Sequence, residues 1–303
     1  MLRPMDVWRC AIVRQSVSEI LRDGLDPATV VWLPDMRPLA FRADPFGLWR
    51  DGKLHVFAES FDYRSRIGHI DVLTYAADLT LVDCRVALRT PWHLSYPFVF
   101  EADGETWMLP EAFKSGALTL YRARDFPGVW EPVCDIPLDG PAIDATPLFH
   151  AGKWWLFYSP SADKPARRSH LHVAWADRLT GPWQLHPRNP VRVDLASARP
   201  GGVPVVRDGI IMLPVQDCRE TYGGAIRWLS ITALSETRFE AIDAPGLTAP
   251  DAMAPFVDGL HTFAPAGQVT LIDVKRTTNS PYANAIRMRG ILRRTLRETG
   301  VLP

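Results

Sequence analysis

Apolar residues along this chain fall in short runs with polar positions interleaved, and the runs break at turns built on glycine. One such unit reads Asp51-Gly52-Lys53-Leu54-His55-Val56-Phe57 and returns as Asp103-Gly104-Glu105-Thr106-Trp107-Met108. Further copies are Ala151-Gly152-Lys153-Trp154-Trp155-Leu156-Phe157, Asp208-Gly209-Ile210-Ile211-Met212-Leu213 and Asp258-Gly259-Leu260-His261-Thr262-Phe263. Asp-Gly between two apolar runs predicts a hairpin, because both central turn positions need positive φ. The glycines at 52, 104, 152, 209 and 259 are 52, 48, 57 and 50 residues apart. A period of that size with several strands per unit is the signature of a propeller blade. The pattern predicts an all-β chain, a five-bladed β-propeller with a short C-terminal helix.

The flanking runs agree. Before the glycines stand Pro45–Trp49, Pro97–Phe100, Thr146–Phe149 and Val203–Val206, and after the second strands come Gly68–Leu73, Leu118–Tyr121, Leu171–Trp175 and Ile226–Leu229. Most Trp and Phe residues are thereby assigned to the packing between blades. Either of the N-terminal runs Val7–Val13 and Val30–Leu33 is placed to complete the last blade and close the ring. Residues 1–280 read as one propeller. Residues 281–303, with Arg287, Arg289, Arg293, Arg294 and Arg297 among Ile286, Ile291, Leu292 and Leu296, read as a basic helix packed on it or, alternatively, lying on a membrane surface.

Composition narrows the classes. The chain has 303 residues, 34 basic against 34 acidic, so there is no basic excess of the kind that duplex binding uses. The 27 prolines argue against a helical protein. Four scattered cysteines with no CxxC pair read as reduced thiols. No apolar stretch has the ~18 residues of a membrane span, and charges interrupt every N-terminal apolar run, so the expected compartment is the cytoplasm. There is no Walker loop, no HExxH and no zinc-type spacing, and no cofactor or metal is expected; a channel of carboxylates offers oxygen ligands for Ca²⁺, but no loop motif supports one.

Register then points to chemistry. Innermost strands line a propeller's channel, so equivalent positions converge. Eight residues before each glycine stand Asp44, Tyr96, Asp144, Gly201 and Asp251; seven after it stand Glu59, Glu111, Ser159, Gln216 and Ala266. Acidic residues are poor strand formers, and several meeting at one axis suit acid–base work on a glycosidic bond, where one carboxyl acts as acid and another as base. Crowding also raises carboxyl pKa values. Asp44, Glu111 and Asp144 are the candidate catalytic carboxyls, with Glu111 ionisable and in the right register to serve as an acid. His93, Tyr96, Arg199, Gln216, Asp217, Tyr222 and Asp251 are candidate substrate contacts. Any single Asp at a strand entry also serves as a turn cap.

The runs Ala43-Asp44-Pro45-Phe46 and Ile143-Asp144-Ala145-Thr146-Pro147-Leu148-Phe149 resemble the five-bladed propellers of the family 43 glycoside hydrolases. That resemblance implies a catalytic base at Asp44 and a pKa-tuning, substrate-orienting role at Asp144. The group's general acid, a Glu opening the fourth blade, is replaced here by Ala198-Arg199-Pro200-Gly201-Gly202. Across roughly residues 30–240, the segments His93–Pro97, Leu109–Ala112, Leu120–Ala123, Gly181–Pro187 and Gln216–Cys218 look like the propeller domain at the N-terminus of plant glucosamine inositolphosphorylceramide transferases and its free-standing bacterial relatives. The plant proteins carry a separate glycosyltransferase domain after it. The expectation is a carbohydrate-active enzyme that cleaves or transfers a glycosyl bond on a sugar or other polyhydroxylated ligand. Two alternatives stand beside it: a non-catalytic glycan-binding propeller, and a lyase, cyclase or modifying enzyme of secondary metabolism using Arg199 to hold an anion.

Overall fold

In a computed structural model describing residues 4–279, together with Ala285 and Met288, the chain forms five antiparallel sheets around one axis. Blade I runs Ala40–Arg50, Lys53–Asp62, Ile67–Tyr75 and Leu81–Leu88 from axis to rim. Blade II runs Ser95–Ala102, Glu105–Glu111, Thr119–Asp125 and Val129–Asp135. Blade III is built on Ala142–His150, Lys153–Pro160 and His170–Ala176, with two short outer pairs. Blade IV combines Arg199–Pro200 and Val205–Arg207 with Ile210–Asp217, Ala225–Leu234 and Phe239–Leu247. Blade V takes only Gly259–Ala266 and Val269–Thr278 from the C-terminal side. Its outer strands are Met5–Val13 and Val30–Trp32, so both N-terminal runs close the ring. Apart from Ala285 and Met288, the basic segment 281–303 lies outside the described residues.

Glycines 52, 104, 152 and 209 all occupy positive-φ turns, as their spacing predicts. The fifth does not. Blade V turns at Ala266-Gly267, where Gly267 has φ +63°. Gly259 opens the inner strand and pairs with Lys275. A Cβ there would lie 2.3 Å from the Gly223 carbonyl oxygen, so this glycine serves close backbone approach rather than a turn. The inner hairpin of blade V is therefore displaced along the sequence, and Asp251 and Ala266 lose the positions the repeat assigned them.

Aromatic and aliphatic side chains fill the seams between blades. Phe46 of blade I meets Tyr96 edge-on at 4.7 Å, and Phe57 meets Trp130 at 5.6 Å. Trp107, Trp154 and Trp183 lie in one buried cluster between blades II and III, and Trp155 and Trp175 in the next. Trp8 departs from this rule and lies beside the axis. Every cysteine is unbridged. No helix among the described residues is long and apolar enough to cross a membrane.

Each of four inner strands breaks its ladder by a bulge close to its starting end. The register slips between Ala43 and Phe46, Ser95 and Phe98, Ile143 and Thr146, and Leu260 and Phe263. Blade IV has an open gap there instead, with Gly201 and Val203 bonded to Phe263 of blade V: Val203 N–H donates to the Phe263 carbonyl and Phe263 N–H to that of Gly201. Gly202 has φ +142°, and a Cβ on it would lie 1.9 Å from the Phe263 oxygen. Gly202→Ala is expected to cost about 3 kcal/mol or more, the size seen when backbone strain and overpacking coincide, read as a lower urea midpoint at unchanged slope.

Candidate functional site

The bulges place Asp44, Tyr96 and Asp144 in the left-handed region, with φ of 51°, 44° and 50°. Such a conformation disfavours any side chain but glycine by about 1–2 kcal/mol, and it turns the backbone N–H out of the sheet. At Asp44 a carboxylate of blade V captures it: Asp44 N–H donates to Asp273 Oδ2 at 2.8 Å. Asp44 Oδ2 in turn accepts the N–H of Tyr96 at 3.1 Å. The Tyr96 hydroxyl contacts Thr146 Oγ1 of blade III at 2.8 Å and accepts the Gly202 N–H of blade IV at 2.8 Å. Asp144 Oδ2 accepts from Arg199 Nε and Gln216 Nε2, both at 2.7 Å.

Two groups unforeseen from the sequence complete this centre. Asp273, fully buried, accepts from the backbone N–H groups of His261 and Thr262 and from His261 Nδ1 at 2.7 Å. His261 then presents Nε2 to Asp44 Oδ1 at 3.4 Å. Its ring is clamped by Trp8, stacked at 3.7 Å, and by Tyr222, edge-on at 5.3 Å. The missing signal was the bulge itself. Asp44-Pro45-Phe46, Tyr96-Pro97-Phe98 and His261-Thr262-Phe263 share a polar residue two before Phe, and aligning on Phe rather than glycine finds His261. The hairpin from Phe263 to Gly267 is two residues shorter than that from Phe46 to Gly52, which hides the correspondence.

Five carboxyls thus meet at the axis: Asp44, Glu59, Glu111, Asp144 and Asp273. All are buried, with 6%, 7%, 6% and 3% exposure left to the first four. Arg199 is the fixed cation among them, and His261 is a second one when protonated. Five potential negative charges against two positive ones cannot all be ionised in so dry a place. Burial, with Asp273 and Asp144 adding to it and His261 opposing, pushes Asp44 up to about 6. Burial and the neighbouring carboxylates push Glu59 well above the usual range. Glu111 rises likewise, chiefly by burial and by the charge of Asp144, while Arg199 opposes. His93 accepts the Gly68 N–H at Nδ1, 2.8 Å, so its proton sits on Nε2, 3.6 Å from Glu59 Oε1; burial pushes it down to about 4, which keeps it neutral. The histidine at the other side behaves oppositely, since Asp273 and Asp44 outweigh burial and raise His261.

Of the predicted contacts, Tyr96, Arg199, Gln216 and His93 reach this cluster. Tyr222 does too, lying 3.3 Å from Arg199 Nη2 through its hydroxyl. Arg199 also donates to the Arg167 carbonyl, so its guanidinium is committed to protein partners rather than held free for an anionic ligand. Two assignments are corrected. Asp251 is exposed in a short 3₁₀ turn, Asp251–Met253, ahead of blade V, because the fifth hairpin is displaced. Asp217 ends its strand pointing away from the axis, bonded to Arg219 at 2.6 Å and near Arg227 at 3.8 Å. Among the described residues, Asp44, His261 and Asp273 also come within 4.8 Å of one another through possible metal-ligand atoms, but His261 Nδ1 is taken by Asp273, which leaves Nε2 as the ring's remaining donor.

Residues 31–253 match the family described as glucosamine inositolphosphorylceramide transferase 1, N-terminal. The chain belongs to that family. It is 34% identical over 212 residues to glucosamine inositolphosphorylceramide transferase 1 of Arabidopsis thaliana, and 34% identical over 209 residues to that of Oryza sativa subsp. indica. These alignments take in 69% and 68% of this chain but 28% of each plant protein, so the chain spans well under a third of their length. Solved structures share the propeller. A family 117 glycoside hydrolase from Zobellia galactanivorans superposes with a TM-score of 0.56 at 18% identity, over 80% of this chain and 86% of its own. An α-L-arabinofuranosidase from Podospora anserina, in complex with cellotriose, gives 0.56 at 13% identity over 82% and 93%.

The raised Asp44 pKa has a consequence for stability. The folded state holds this proton more tightly than the unfolded chain does, so the contribution of Asp44 to stability is full below about pH 4 and is lost as pH rises to about 6. Asp44→Asn, which carries no ionisable proton, is expected to lose less stability than the parent between pH 4 and 6.5, measured by urea unfolding at both.

Proposed function

We propose that this propeller is carbohydrate-active: it takes a sugar or similar polyhydroxylated ligand at the axial carboxyl cluster and cleaves or transfers a glycosyl bond there. The observation that carries this reading is the convergence of the buried carboxyls Asp44, Glu111 and Asp144 beside Arg199. Asp144 is ion-paired with Arg199 and further bonded to Gln216. Glu111 is held well above the usual carboxyl range, first by burial and then by the charge of Asp144. A carboxyl raised above its usual range beside one that is ion-paired to a guanidinium is the arrangement that acid–base catalysis on glycosides uses. Glu111 is the acid. Asp44, with a pKa of about 6 and Nε2 of His261 facing it, is the base. The plant relatives' name as glycolipid transferases, and the sugar-processing enzymes among the structures of like fold, support the same substrate class.

In this mechanism Asp44 must be ionised and Glu111 protonated, so activity rises with pH through about 6 and falls again as Glu111 ionises. His261, fixed by Asp273 and stacked on Trp8, holds Asp44 oriented and eases its ionisation. The second reading is a glycan-binding module without turnover. It is favoured by one observation: both oxygens of Asp44 already have protein donors, Tyr96 N–H and the Thr262 hydroxyl.

A panel of nitrophenyl glycosides and oligosaccharides, assayed for release and for binding, separates the two. Turnover that falls about 10²–10⁴-fold in both Asp44→Asn and Glu111→Gln, with the fold intact by circular dichroism, is the expected result. Binding that persists with no turnover in the parent protein replaces the enzyme by the binding module.

A further inference from the structure

A cavity of about 930 Å³ opens along the seam between blades V and I. It lies on the face where the inner strands begin, the face of the carboxyl cluster. Its size suits a small molecule rather than a protein surface. Met5, Val7, Met36, Leu39 and Phe256 supply apolar walls, and the connection from blade V to blade I, through Pro34 and Pro38, forms one side. At its inner end stand Trp8 and Phe41; Trp8 is the ring that stacks on His261. The cavity is therefore one aromatic ring away from the axial site, yet uses none of its carboxyls.

The charge on this groove is one-sided. Arg9, Arg37, Arg42, Arg64 and Arg276 line it, with Asp35 as the acidic member of the lining. Their partners do not balance them. Arg9 pairs with Asp35 and Arg42 with Asp71, while Arg37 and Arg64 share the single carboxylate of Asp62. Arg276 lies over the Phe256 ring at 5.2 Å, with no carboxylate partner among the described residues. Five guanidiniums against Asp35, Asp62 and Asp71 leave two positive charges uncompensated. The chain's own C-terminal segment is a poor occupant by charge, since residues 280–303 carry five arginines and one glutamate.

We propose that this groove is a binding site for an anionic amphiphile, a molecule with a phosphate-like group beside an apolar chain. The guanidiniums of Arg37, Arg64 and Arg276 take the head group, Arg being suited to bidentate contact with phosphate oxygens. The apolar chain lies along Met5, Val7, Met36 and Phe256. The site stands independently of glycosyl chemistry at the axis.

Calorimetry on the full chain with decyl phosphate below its micelle concentration tests this, with inorganic phosphate as the head alone and decyl maltoside as the chain alone. Decyl phosphate is expected to bind at least about tenfold more tightly than either. Arg276→Glu and Arg37→Glu, both at exposed positions, are each expected to weaken it about tenfold, the loss of one charge-assisted contact, at unchanged melting temperature. Asp44→Asn is expected to leave it unchanged, which separates this site from the axial one. Flotation with phosphatidic acid vesicles but not with phosphatidylcholine vesicles assigns the amphiphile to a bilayer; decyl phosphate binding without flotation assigns it to free molecules, and both uphold the site. Equal binding by the charge-reversed variants, phosphate alone binding as tightly, or no binding to the full chain overturns it.

Discussion

The backbone N–H of Asp44 has no partner in its own sheet, and the way it is satisfied organises the centre of the molecule. A left-handed bulge residue turns its N–H toward the axis, where water is scarce and an unpaired donor costs about 1–3 kcal/mol. Asp273 of blade V takes that donor, and Asp44 of blade I takes the next one, from Tyr96 of blade II. The Tyr96 hydroxyl passes the link to Gly202 of blade IV, whose neighbours Gly201 and Val203 are bonded to Phe263 of blade V. Blade III enters through Thr146 and through Asp144 with Arg199 and Gln216. Blades I, II and IV thus depend on side chains of another blade to complete their own backbone bonding, and the ring closes at the axis as well as at its N-terminal seam.

This arrangement forces structure and chemistry onto the same residues. Carboxylates are the acceptors that bulge N–H groups need, so the fold itself concentrates acids where the strands converge. Once five carboxyls share that space with Arg199 and His261, protons must be retained to keep the charge down, and where they are retained is decided by geometry. Asp144 sits against a guanidinium, Glu111 against Asp144, and Asp44 between Asp273 and His261. Unequal protonation follows from packing without any dedicated device.

The four Gly turns of blades I to IV were legible because a type of turn that needs positive φ selects glycine whatever surrounds it. Asp258-Gly259 carries the same letters for a different reason: two backbones pass too close there for a side chain, one from Gly259 and one from Gly223. Sequence spacing cannot separate these two demands, so the fifth register slipped, Asp251 was placed at an axis it does not reach, and His261 was passed over. Asp273 left no trace in the pattern at all. It lies mid-strand between apolar Ile272 and Val274, where an acid looks like an outward-facing residue until the bulges opposite it are known. Glu59, Glu111 and Gln216 were found because the second strands of blades I, II and IV keep constant length from their turns.

Arg199 is where the resemblance to family 43 hydrolases and the geometry meet. A Glu at the opening of the fourth blade would add a further carboxyl to a cluster with His261 as its remaining cation. An Arg there does the reverse, neutralising Asp144 and lowering the cost of placing Glu111 against it. On the proposed reading, Arg199 stands where the resemblance implies a proton donor and supports another, Glu111, displaced by two blades. The ligand face displaced with it would be the one bounded by blades I to III, with His93 held neutral beside Glu59, and Arg199 on the far side serving as a fixed counter-charge. On the proposed reading the fourth blade supplies electrostatic support, and acid catalysis would fall to Glu111, whose pKa answers to the charge of Asp144 and, in the opposite sense, of Arg199.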